Sequence, residues 1–169
     1  MSNFLTQMLT GQFEASLAML GRCIRACPPE HYEGKIANDS FRTIAYHTLF
    51  FVDYYLSAHE GAFTLRELHH RGGNELASLD PSPGLSQEET LAYVEVCHDK
   101  AVQTLAGETS DSIEGPSGFA RLPFSRGELH LYNLRHIQHH TGALSAYLRR
   151  VEPALKDSRD LRWVRTGWR

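Results

Sequence analysis

SRGELHLYNLRHIQHHTGALSAYLRR, residues 125–150, decides how the rest of the chain is read. Ser125 and Glu128 stand in the S-x-x-E relation of a reciprocal helix cap, which sets a start point. From there Leu129, Ile137, Leu144 and Tyr147 gather on one face at about 100° per residue, so the stretch predicts an amphipathic helix on the order of 35 Å long. With Leu129 taken as zero, His136 falls near about 340° and His140 near about 20°, at the middle of that apolar face. His139, near about 280°, and His130, near about 100°, fall toward its edges.

Three more segments carry the same period. One runs from about Asn3 to Cys27 with Leu9, Phe13, Leu17, Leu20 and Ile24 on one stripe, and Pro28 and Pro29 stop it. The next starts at Asp39 or Ser40 and reads SFRTIAYHTLFFVDYYLS to about Ser57. It is apolar around most of its circumference, with Arg42, Tyr46 and Asp53 as its polar strip. Such a helix needs cover on two sides, which predicts a homodimer built on it. The third opens at Ser86 with Glu89 in capping-box relation and ends near Gly107. The expectation is an all-α four-helix bundle, one domain over 1–169, with long connections between helices 2-3 and 3-4. Residues 58–85 include a short helix in TLRELHH, capped by Thr64 and Glu67, whereas 108–124 read as Gly/Pro/Ser-rich loop. The tail, about 151–169, is expected to pack on the bundle or a neighbouring subunit.

Composition narrows the function classes. A net charge of -3 gives nucleic-acid binding no electrostatic support. No apolar run reaches the ~18 residues of a membrane span, and the first residues lack the basic and apolar blocks of a signal peptide. The expected setting is cytoplasmic. Three cysteines, Cys23, Cys27 and Cys97, form no even disulfide framework and read as small core residues. The chain's ten histidines are the feature that needs explaining.

Two imidazoles at i and i+4 in an apolar face cost roughly 1–3 kcal/mol each when left without partners. A bound cation removes that cost, and this spacing lets both rings reach one ion. A third ligand from another helix would complete the set. His47, within IAYHTLFF, lies on the shoulder of the second helix's apolar face, where it can serve as that ligand or as a hydrogen-bonded core residue.

HIQHHTGAL late in a four-helix chain, with one histidine in the second helix, resembles the DinB-like metalloprotein family. That superfamily includes the YfiT-type hydrolases and the mycothiol- and bacillithiol-dependent transferases. The resemblance implies that His47, His136 and His140 hold a divalent metal. The family often has Gln where this chain has Ala143, which leaves the ligands unaffected.

Three neutral imidazoles leave coordination positions open, the arrangement of catalytic rather than closed sites. Zinc or nickel suits them, and iron(II) is compatible. The resemblance implies a metal-dependent hydrolase, or a transferase joining a low-molecular-weight thiol to a small-molecule substrate. The contrasting reading is a non-catalytic or stress-associated dimer in which the metal is structural or sensory. Candidate catalytic helpers are Asn133, one turn before His136, and His98, which projects inward from the third helix between Val94, Val102 and Leu105. Each also reads as a satisfied core residue. His139 is expected outside the ligand set, and the His69–His70 pair at the surface. A di-iron site fails because the fourth helix offers Asn133-x-x-His136 in place of a glutamate motif and the second helix has no glutamate. No nucleophile-elbow sequence is present.

Overall fold

The computed structural model describes residues 2–72 and 84–168, and these are mostly helical. Four helices are long: α1 (Ser2–Ala26), α3 (Phe41–Tyr55), α5 (Gln87–Gly107) and α7 (Arg126–Val151). Between them lie the short α2 (Pro29–Tyr32), α4 (Glu67–Gly72) and α6 (Ser110–Glu114). α1 packs on α5 and α7, and α3 packs on the same two helices from the other side. None of the described helices is long and apolar enough to cross a membrane.

The local sequence explains the boundaries. Pro28 and Pro29 end α1 and start α2, where a missing N–H costs nothing. Residues 35–40 then make a two-residue antiparallel ladder, Lys35 opposite Ser40 and Ile36 opposite Asp39, turning through Ala37 at φ 57°. This ladder aims Ser40 at α3, where its Oγ accepts the Thr43 N–H and supplies the cap expected at residue 39 or 40. Ser86 with Glu89 and Ser125 with Glu128 both form complete capping boxes, as their spacing predicts.

The stripe Leu9, Phe13, Leu17, Leu20 and Ile24 is buried against the residues of the other long helices, with Cys23, Cys27 and Cys97 in the same core. Burial pushes the Cys23 and Cys27 thiols up to about 12, so both stay protonated and behave as small apolar fillers.

On α3, Tyr46 and Asp53 of the polar strip are each 2 % exposed. That side is covered within the chain by α4 and α5. One expectation is corrected here: the stretch 108–124 is not all loop, because Thr109 and Ser112 cap each other reciprocally and start α6, which buries Ile113. The tail packs on the chain itself. Val164 is buried beside Ala15 and Ala18, and the Gly167 N–H bonds the Gly11 carbonyl at 2.9 Å.

Candidate metal centre

His47 comes from the middle of α3, and His136 and His140 from successive turns of α7. One ring nitrogen from each lies within 4.8 Å of the other two. The ring centroids are 5.2 Å apart for His47–His136, 4.9 Å for His47–His140 and 4.6 Å for His136–His140. The three histidines lie between half-buried and buried, at the margin of the core.

The His47 and His136 Nε2 atoms are 3.3 Å apart. Two nitrogens bound at 2.0–2.1 Å on a tetrahedral ion are separated by about 3.3–3.4 Å, so the pair is spaced to share one cation. Burial, and then the neighbouring histidines His140, His47 and His139, push the His136 imidazole down to about 3. Burial followed by His47 and His139 takes His140 down to about 4. Both are neutral near pH 7 and offer lone pairs, the state that metal binding requires. Chemically the residues fit a divalent ion. The His136 Nδ1 is buried and without a hydrogen-bond partner among the described residues, whereas a metal-bound histidine usually has that nitrogen braced.

The other expected site residues divide. His139 is exposed, with its ring edge against His140 at 4.9 Å, outside the ligand set. Asn133 is fully buried and donates to the Val52 carbonyl at 3.3 Å, which ties α7 to α3. His98 belongs to a different place. Its ring lies tilted against Trp168 of the tail at 4.2 Å, with Asp99 Oδ1 3.0 Å from Nδ1 and Glu14 Oε1 3.5 Å from Nε2. The inward projection expected for it is replaced by a seam between α5, α1 and the tail.

His69 is a second correction: it is 5 % exposed rather than a surface residue, and the side chain of His70 lies outside the described residues. Its Nε2 is 2.9 Å from the Tyr93 hydroxyl, and its Nδ1 accepts the Arg66 N–H at 2.8 Å. The Tyr93 hydroxyl donates to Asp53 Oδ2 at 2.9 Å, Lys100 bonds Asp53 Oδ1 at 2.7 Å, and Arg66 pairs with the same carboxylate. Burial alone would raise the Asp53 carboxyl, but His69, Lys100 and Arg66 together outweigh it and hold it far below the usual range. The sequence reading missed this network, although a lone aspartate in the apolar run FFVDYY was the available signal.

A second unforeseen network joins Glu108, Arg126 and His130. Glu108 Oε1 lies 2.9 Å from both Arg126 Nε and His130 Nε2. Arg126 also donates to the Tyr55, Leu56 and Ser57 carbonyls, capping the end of α3. Beside the histidine cluster, Phe51 packs on His47 at 4.8 Å and His136 at 5.7 Å. The same ring helps line a cleft of about 610 Å³ with Phe50, Tyr54, Tyr55, Phe63 and Phe119. No family model, curated protein or solved structure matches this chain.

Proposed function

We propose that this chain is a metal-dependent enzyme whose divalent ion, zinc or nickel, is held by His47, His136 and His140. The observation that carries the reading is the convergence of three imidazole nitrogens within 4.8 Å, with no fourth His, Cys, Asp or Glu joining them among the described residues. A structural site would be closed by a fourth protein ligand, whereas three ligands leave room for a reactant. When bound, such an ion supplies Lewis acidity toward a water, a thiol or a carbonyl. The chain's own contribution is to keep the imidazoles neutral, to fix two of them on one helix, and to wall the site with Phe51.

The pairwise packing of α1, α3, α5 and α7 supports a four-helix bundle as the frame, with the ligands on two facing helices. Within that frame the DinB-like resemblance rests on the histidine pattern. It favours hydrolysis, or transfer of a low-molecular-weight thiol to an electrophile, in a cytoplasmic setting. The test begins with metal analysis of protein purified without chelating resin, beside His136→Ala and His140→Ala. About one ion per chain in the native protein and almost none in the variants is expected. Equal metal content in all three ends the proposal. A panel pairing thiols with electrophiles, run beside simple esters and amides, then separates transferase from hydrolase.

A further inference from the structure

The aromatic cleft beside the histidines has a chemistry of its own. Phe51 forms the wall between them, touching His47 and His136 and also Phe50 at 5.3 Å and Tyr55 at 5.4 Å. Within the cleft the rings meet edge to face: Tyr54 with Phe119 at 4.9 Å, Tyr54 with Phe63 at 5.2 Å, and Phe50 with Phe63 at 5.5 Å. A flat aromatic guest extends that edge-to-face pattern, because each exposed ring edge or face has a complementary partner in another ring. At about 610 Å³ the space falls within the range of small-molecule sites.

Two charged residues line the same cleft, Glu60 and Arg121, and they are not equivalent. The Glu60 carboxylate is already engaged, accepting the Tyr54 hydroxyl on one oxygen at 2.9 Å and the Ala120 N–H on the other at 3.3 Å. Arg121 is exposed and makes no ion pair or hydrogen bond among the described residues. The cleft therefore offers aromatic walls and one cation without an ion-pair partner, which acts electrostatically on Tyr54 and can pair with an anion on a bound ring, while Glu60 keeps its own negative charge on the Tyr54 and Ala120 side.

We propose that this cleft seats the non-reacting part of the substrate, an aromatic group bearing a carboxylate or similar anion that pairs with Arg121. The inference rests on the metal reading above for the word substrate, but the binding chemistry stands on the cleft alone. The probes are 6-fluoro-2-naphthoate and its neutral amide, titrated by ¹⁹F NMR into metal-free protein and into protein loaded with cobalt(II). Saturable binding of the acid is expected, weakened roughly fivefold by Arg121→Gln, while the amide's weaker binding is unchanged by that substitution. Arg121 is exposed, so the variant is expected to keep its fold. Cobalt(II) should broaden the bound fluorine signal in the native protein and not in His140→Ala. Absent binding, an equal effect of Arg121→Gln on acid and amide, or no broadening in protein carrying one cobalt per chain overturns the inference and leaves the metal reading intact. Arg121-dependent binding of the acid in native protein that takes up no cobalt sustains the cleft and removes the metal reading alone.

Discussion

The Nε2 atoms of His47 and His136 stand 3.3 Å apart across the seam of α3 and α7, although 89 residues separate them in the chain. Held that close without a cation, one ring must donate to the other, and His140 still offers its lone pair to the same space. A shared divalent ion satisfies all three at once.

Metal removal is therefore expected to lower stability. At a metal concentration about 100-fold above Kd the holo form gains about 2.7 kcal/mol, which for a chain of this size shifts Tm by roughly 5–10 °C. His136→Ala or His140→Ala should weaken binding by about 100-fold or more, beyond the typical cost of losing a supporting residue. Thermal melts with and without chelator check both. A Tm that ignores zinc and nickel alike would contradict the assignment.

The pairing of His136 and His140 on one face was legible because a helix is a rigid ruler. Residues i and i+4 share a face whatever packs against them, so His136 and His140 follow from local sequence. Reciprocal caps are equally local, and Ser86 with Glu89 and Ser125 with Glu128 set their helix starts as read. The cap at Thr109 escaped because Ser112 stands where a glutamate is usual. His69, Asp53 and Tyr93 were illegible for a different reason. Their burial depends on α4 folding back over α3, a contact between residues 16 and more positions apart that no helical period encodes. His98 was misplaced because the tail, whose route cannot be read from periodicity, supplies Trp168 to cover it.

Asp53 is expected to be a stability residue and not a catalytic one. Asp53→Asn leaves Lys100, Arg66 and His69 facing each other around a neutral amide, and a loss of about 2–4 kcal/mol follows from breaking a buried charge network. Adding Lys100→Met to Asp53→Asn should recover part of it by removing one stranded charge. Urea denaturation measures both variants, and hydrogen exchange should show faster opening at Arg66 and His69 in the single variant. An unchanged midpoint would mean that α4 is not fastened through Asp53.

Acid should unfold the chain through the same kind of group. Burial acts to raise Glu108, but hydrogen bonds from His130, Ser112 and Arg126 prevail and bring its carboxyl down to about 2. Its folded value lies below the unfolded one, so the unfolded chain binds more protons in between. Stability from Glu108 is complete above about pH 4.5 and drains away as pH falls toward about 2, on the order of 2 kcal/mol after allowance for solvent screening. Asp53, held lower still, continues the loss below pH 4. Glu108→Gln should flatten the acid limb of a stability-against-pH curve. A curve superimposable on the native one would show that the network carries no linkage.

His98 and Trp168 provide the counter-test of where the chemistry resides. Their rings pack at 4.2 Å, tilted by 33°, on the seam between α5 and the tail, and neither joins the histidine cluster. Trp168→Ala should cost about 1–2 kcal/mol by removing the aromatic contact and part of the tail's anchorage on α1. Neither Trp168→Ala nor His98→Ala should change metal affinity by more than about threefold, since each leaves the ligands and their helices in place. Competition titration against a chelator dye gives the affinity, and denaturation gives the stability. A tenfold fall in affinity for His98→Ala would return that residue to the metal centre, as a ligand the tail releases or as a group that orients one.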